Sequence, residues 1–255
     1  MDISESIMEI QELGYTVIED FMTEDQVETA RLAIEKIEEK SGFGSGDFGG
    51  HRTVRSSNLV AKTRAFDDLI TDSRMMSLVS GVIGADFQLS IATIIKIYPG
   101  ETPQPLHQDD GLWPAPRPHP PFVLNTLYAI DPFTCENGGT QLVAGTHKST
   151  EPVDQQAKKV SVEMPVGSVL AWDGATWHGG GANNTKTETR CGLNINYNVA
   201  WLKQQENQFV GVHPDVAATL PQKLQELLGY KVVHQILGGV AGQDPREILL
   251  ERAGH

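Results

Sequence analysis

Four residues of this chain have types and spacings suited to metal chemistry. In "QPLHQDDGLWP", His107 and Asp109 stand two apart, so on an extended strand both would project from one face and reach one ion. His178, in "WDGATWHGGG", follows a strand pattern and precedes a glycine turn. Two imidazoles and one carboxylate on one side of a metal leave the opposite positions open, as non-haem Fe(II) oxygenases require. The ligand types argue against a structural zinc site, which favours thiolates. Arg190 opens the polar face of the last strand pattern. An arginine there can grip a carboxylate through two parallel hydrogen bonds, which lysine cannot. A second copy of the tripeptide, His213-Pro214-Asp215, reads differently: proline and an acid are good first-turn residues, so this copy is a helix start.

These side chains must be positioned by the elements around them. "GYTVIEDFMTEDQVETARLAIEKIEEKSG" predicts a short strand at Tyr15–Val17 and then a helix. Thr23 is the N-cap, Gln26 completes a capping box, and Val27, Ala30, Ile34 and Ile37 follow at helical spacing. The glycine-rich stretch "GFGSGDFGGHRTVRSS" reads as a loop over a site or a linker, and residues 64–83 as two short helices. From "DFQLSIATIIKIYPG" onward the pattern is β, with strands at 87–98, 122–130, 139–143, 160–163, 167–173 and 190–200 between Pro/Gly/Asn turns. In "RCGLNINYNVAW", Arg190, Asn194, Asn196 and Asn198 fall on one face. Cys191, Leu193, Ile195, Tyr197 and Val199 fall on the other. Such a strand packs its apolar face on a second sheet and turns its polar face to a wet cavity. "DVAATLPQKLQELLGY" and "DPREILLERAG" read as closing helices. The whole, residues 1–255, reads as one mainly β domain with flanking helices. It has a helical part over about 1–85, a jelly-roll core over about 86–201 and closing helices over about 214–255. On these residues alone two further functions stay open. One is a jelly-roll hydrolase or isomerase using Zn(II) on the same ligands, which has no use for Arg190. The other is a non-catalytic small-molecule-binding jelly roll.

Composition narrows the partners. A net charge of −13 repels phosphate backbones and anionic membranes, which excludes nucleic acid and a membrane surface as expected partners. Two cysteines, Cys135 and Cys191, are too few for a disulfide framework. "MDISESIMEIQELGY" has no apolar signal core, and no apolar run approaches membrane-spanning length, so a cytoplasmic location is expected. The oligomeric state is not legible.

With "QPLHQDDGLWP", "ENGGTQLVAGTHK", "GSVLAWDGATWHGGG" and Arg190 in this order, the chain resembles the phytanoyl-CoA dioxygenase-like Fe(II)/2-oxoglutarate oxygenases. The resemblance implies a double-stranded β-helix (jelly roll, cupin-like). It implies Fe(II) held by His107, Asp109 and His178, and 2-oxoglutarate anchored by Arg190. It further implies O2 as oxidant, ascorbate as a reductant in vitro, and release of succinate and CO2 as a small-molecule metabolite is hydroxylated, desaturated or rearranged. Gln104, Asn125, Thr140 and Lys96 match positions that line the co-substrate, and His147 matches a structural turn. Related halogenases carry a small residue where Asp109 stands, so Asp109 favours oxygenation. Gly180 replaces a serine that some members place near the co-substrate. A substrate is expected between segment 42–58 and "GLWPAPRPHPPF", against Arg52, Trp113, Arg117, Asn194 and Asn196; Arg55 and His119 are further groups that could meet an anion.

Overall fold

A computed structural model describes residues 3–38 and 41–254. In chain order it contains α1 (Ile3–Leu13), β1 (Tyr15–Ile18), α2 (Glu24–Glu38), α3 (Gly46–Gly49), β2 (Thr53–Ser56), α4 (Leu59–Lys62), α5 (Asp67–Ile70) and α6 (Ser73–Ile83). Then follow β3 (Phe87–Ile97), β4 (Val123–Ala129), β5 (Thr140–Leu142), β6 (Val160–Ser161), β7 (Val169–Asp173), β8 (His178–Gly180) and β9 (Arg190–Val199). Helices α7 (Gln208–Gly211), α8 (Pro214–Thr219), α9 (Gln222–Leu228) and α10 (Pro245–Ala253) close the chain. Helix α2 begins as its sequence requires. The Gln26 amide donates to Thr23 Oγ1 (3.2 Å) and the Thr23 amide to Gln26 Oε1 (2.9 Å), satisfying two backbone donors reciprocally.

Six antiparallel strands form a major sheet in the order β1-β7-β4-β9-β3-β2, and a smaller sheet runs β6-β5-β8. The segment 104–107 extends the smaller sheet beyond β8. The amides and carbonyls of His107 and His178 exchange two hydrogen bonds of 2.9 Å, and the Gln104 amide donates to the Gly180 carbonyl at the same distance. The two sheets form the double-stranded β-helix. The expected N-terminal helical part also supplies β1 and β2, which add to opposite ends of the major sheet. Strand β2 is hidden in the sequence by the glycines before it and by its short length.

The apolar face of β9 does not pack on a second sheet as expected. Leu193, Ile195 and Tyr197 join Ile10, Ile34, Leu78, Leu224 and Leu249 in one buried cluster, so helices cover this face. Each such side chain contributes about 1.5–3 kcal/mol when fully buried. The Tyr197 hydroxyl finds its partner at the Ile70 carbonyl (2.8 Å), which makes a buried phenol tolerable. A smaller cluster, including Leu127, Phe133, Leu142, Met164 and Leu170, fills one end of the space between the sheets. The other end is left open as a cavity.

A β-bulge in β3 decides which side chains enter that cavity. The register with β9 shifts between Leu89 and Ile91. Before it, Phe87 and Leu89 face the helices; after it, Ala92 and Ile94 do, and Ile91, Thr93, Ile95 and Ile97 face the cavity. One extra residue reverses the alternation for the rest of the strand.

Candidate active site

The cavity between the sheets has a volume of about 240 Å³, and His107, Asp109, His178 and Arg190 all line it. The expected strand geometry for His107 and Asp109 is not what brings them together. His107 is a single bridge residue opposite His178, and Asp109 begins a 3-10 turn over Asp109–Leu112. The turn swings the carboxylate back beneath the imidazoles. His107 Nε2 lies 3.5 Å from Asp109 Oδ1, and His178 Nε2 lies 3.4 Å from Asp109 Oδ2. One ligand atom from each residue falls within 4.8 Å of the other two.

The imidazoles are held in one tautomer. His107 Nδ1 donates to the Pro105 carbonyl (3.0 Å) and His178 Nδ1 to the Thr176 carbonyl (2.9 Å), since a carbonyl can only accept. Each Nε2 of a neutral ring therefore aims its lone pair at a carboxylate oxygen. That arrangement repels unless a cation sits among the three groups, which is the outer-sphere orientation seen around metal-ligating histidines. The donor set therefore fits a divalent ion of intermediate softness. Burial works against ionising Asp109, but when protons on the two Nε2 atoms take the place of that cation, the charge of His178 and hydrogen bonds from both histidines hold its carboxyl far below the usual range. The effect on His107 is reciprocal. Burial alone would lower its pKa, yet the hydrogen bond and charge of Asp109 raise it.

Arg190 is the one arginine among the largest fully buried side chains of the described residues. Its Nε and Nη2 donate to the Gly138 carbonyl, its guanidinium lies 4.3 Å from the Phe133 ring centre, and no described carboxylate is within ion-pairing distance. Burial pulls its pKa down to about 9, so it remains charged at neutral pH. A buried, unpaired cation is costly, and a carboxylate in the cavity would offset that cost. Thr140 also lines the cavity, as does Gln104, whose Oε1 accepts from the Gly180 amide (3.1 Å) and whose Nε2 donates to the Phe48 carbonyl (3.1 Å). Gly180, across from Thr140, leaves open the space in which a serine would sit. Asn125 is fully buried opposite Asn196 and Trp172, and neither atom of its amide has a partner.

Other expected site residues lie elsewhere. Lys96 is a correction: the bulge in β3 puts it on the outer face, 2.8 Å from Glu38 of α2. Arg52 lies outside the cavity lining, donates to the Pro99 carbonyl (2.7 Å) and rests over Phe43; on β2 it is Thr53 and Arg55 that face inward. Arg117 is claimed by Asp110, a buried carboxylate that it shares with His119 (3.3 Å). Trp113 packs on Phe122 and donates to the Lys203 carbonyl, away from the cavity. Within the 3-10 turn Asp110 points away from the triad toward Arg117 and His119, and His147 serves a turn, with Nε2 near the Gln11 carbonyl (3.2 Å). Of the four cationic groups considered for an anion, only Arg55 lines the cavity. Two aromatic walls were not among the expected site residues. Phe48 of α3 sits edge-on to His107 (4.8 Å between centroids), and Trp172 edge-on to His178 (5.0 Å). Among the described residues no helix is long and apolar enough to cross a membrane.

The chain is similar to fungal dioxygenases along most of its length. It is 28% identical to the dioxygenase aneA of Aspergillus aculeatus over 217 residues, which cover 78% of this chain and 73% of that one. It is 27% identical to the dioxygenase FrzG of Cladobotryum over 258 residues, covering 89% and 84%. Among solved structures, the non-haem α-ketoglutarate-dependent carbocyclase SnoK of nogalamycin biosynthesis superposes with a TM-score of 0.66 at 20% identity, covering 77% of this chain and 83% of that one. HygX of Streptomyces hygroscopicus, solved with nickel, 2-oxoglutarate and hygromycin B, gives 0.65 at 19% identity, covering 78% and 88%. These two likenesses show the fold. The model of the phytanoyl-CoA dioxygenase (PhyH) family matches residues 10–191. Taken with the cavity and its triad, this match means that the chain belongs to the phytanoyl-CoA dioxygenase (PhyH) family and is an iron- and 2-oxoglutarate-dependent dioxygenase.

Proposed function

We propose that the protein oxidises an unactivated C–H bond of a small-molecule metabolite in the cytoplasm, with His107, Asp109 and His178 as the Fe(II) ligands and Arg190 as the anchor of 2-oxoglutarate. The observation that carries this reading is that three mutually facing ligand atoms share one cavity with a buried guanidinium that forms no ion pair among the described residues. The two free cysteines favour a reducing compartment.

When bound, iron with 2-oxoglutarate and O2 supplies the oxidising chemistry, and the keto acid leaves as succinate and CO2. The protein supplies position and exclusion of water. Pro105 and Thr176 carbonyls keep both Nε2 atoms free for the metal. Arg190, with Thr140 in the same cavity, takes the far carboxylate of the co-substrate. Gln104 steadies the neighbouring backbone through Gly180, and Asn125 offers an unused amide behind the same wall. Phe48 covers His107 at the cavity mouth, and Ile97 and Leu127 keep the interior apolar. No side chain is required to move a proton.

Succinate release from 2-oxoglutarate with Fe(II) and ascorbate tests the reading. The wild-type protein is expected to release succinate even without its substrate, and His107→Ala or His178→Ala to stop it. Undiminished release from His178→Ala would overturn the assignment.

A further inference from the structure

Strand β9 carries two kinds of polar group into the cavity. Arg190 stands at one end, and Asn194 and Asn196 follow four and six residues later, roughly 13–20 Å along the strand. The two amides are linked and fixed. Asn194 Nδ2 donates to Asn196 Oδ1 (2.9 Å) and to the Thr126 carbonyl (3.0 Å), and Asn196 Oδ1 also accepts from the Thr126 amide (3.3 Å). These contacts settle which way each amide points. They leave Asn194 Oδ1, an acceptor, and Asn196 Nδ2, a donor, with no partner among the described residues. Beside them on β3 lie Thr93, whose hydroxyl shares a hydrogen bond with Ser57 (2.8 Å), and Ile91. The floor is thus polar, uncharged and pre-oriented, and the adjacent wall is apolar.

The cations of the cavity are otherwise engaged. The cations that line the cavity are Arg55 and Arg190, and the groups acting on Arg55 are Asp109 and Glu101, with Arg190 feeling Arg55 in turn. Arg55, opposite Ile95 of β3, stands midway in register between Arg190 and Asn194, but its charge is set against those two carboxylates, which leaves Arg190 for the co-substrate. The exposed acid Asp47 lines the cavity on the side of α3. The phosphates of a coenzyme A ester would meet this acid and a chain of net charge −13. A bare alkyl chain would cover the asparagines without satisfying them, and a site built to hydrogen-bond rejects a ligand that cannot.

Resting on the oxygenase reading above, we infer that the substrate is an uncharged small molecule bearing hydroxyl or carbonyl oxygens on an apolar skeleton, selected by the paired amides of Asn194 and Asn196, and that coenzyme A thioesters are not substrates. The experiment loads the protein with Ni(II) and 2-oxoglutarate and follows its melting temperature against three sets of probes. The first set is uncharged cyclitols, sugars and polyketide lactones; the second is decanoic and palmitic acids; the third is their coenzyme A thioesters. Binders are then tested with Fe(II) for stimulated succinate release. Members of the first set alone are expected to raise the melting temperature and stimulate release. Asn196→Asp, which keeps the acceptor toward Thr126 and replaces the free donor, is expected to weaken that binding roughly tenfold or more. Asn194→Leu should weaken it likewise, and the isosteric Asn196→Asp serves alone if the leucine variant does not fold. Binding of a fatty acid or thioester, silence of the whole first set, or wild-type affinity in Asn196→Asp would each overturn the inference. Succinate release without any probe is the separate check. Its absence would defeat the oxygenase reading, whereas its presence with the wrong probe set would defeat only this one.

Discussion

The same tripeptide pattern occurs twice, and its two copies have opposite fates. His107 and Asp109 approach to 3.5 Å, and so do His213 and Asp215. Proximity of an imidazole and a carboxylate therefore distinguishes nothing. The first pair is mostly buried, at 21% and 17% side-chain exposure, whereas the second is open to water at 71% and 76%. His213 caps α8, its Nδ1 accepting from the Asp215 amide (3.3 Å), with Pro214 at the first helical position. His107 instead spends its Nδ1 on a carbonyl, and a third group, His178, closes the set from the neighbouring edge of the smaller sheet. A pair becomes fit to hold a metal when backbone carbonyls fix the tautomer, burial removes water and a third donor arrives from another element.

The largest effect expected from breaking this contrast is loss of turnover. His178→Ala and His107→Ala are each expected to lower succinate release by about a thousandfold or more, the scale of removing part of a catalytic unit, and His213→Ala to leave it within twofold. Equal damage from His213→Ala would mean that the two copies have been assigned the wrong way round. Next in size is Arg190→Gln. Loss of a charge-assisted bidentate contact is expected to raise KM for 2-oxoglutarate by roughly a hundredfold, and Arg190→Lys should recover only part of it. Thermal melts with Ni(II) should show a smaller but cleaner difference. The ion is expected to raise the melting temperature of wild type and His213→Ala by several degrees, and that of His178→Ala by little.

The smallest effect concerns Lys96, the cation that the family resemblance places beside the co-substrate. Lys96→Met is expected to leave KM for 2-oxoglutarate unchanged and to cost about 1 kcal/mol of stability. Burial opposes the Lys96 charge, but the hydrogen bond and charge of Glu38 outweigh it and raise the pKa. The folded state thus binds this proton more tightly than the unfolded chain. Its contribution is present in full at neutral pH and disappears as pH rises through the folded-state value, which denaturation at pH 7 and above pH 11 would separate.

What was legible in the sequence follows local rules. Thr23 and Gln26 announce the start of α2, Pro214 the start of α8, and the alternation in "RCGLNINYNV" the two faces of β9. That His107, Asp109 and His178 converge was legible because His178 stands in its strand–glycine context. The misplacements arise where one residue changes the phase or a distant partner decides. The bulge in β3 reverses Lys96, and nothing near Lys96 in sequence marks it. Arg117 is taken by Asp110, and Arg52 lies one residue out of phase with Thr53 and Arg55. Strand β8 is too short, at three residues, to show any period, and the 3-10 turn at Asp109 replaces an expected strand without altering which atoms converge.

Anomalous diffraction from crystals grown with Mn(II) and 2-oxoglutarate is the most direct measurement of the central claim. One strong peak is expected at about 2.0–2.3 Å from His107 Nε2, His178 Nε2 and one Asp109 oxygen. A peak that lacks His178 among its neighbours, or that sits at His213 and Asp215, would contradict it.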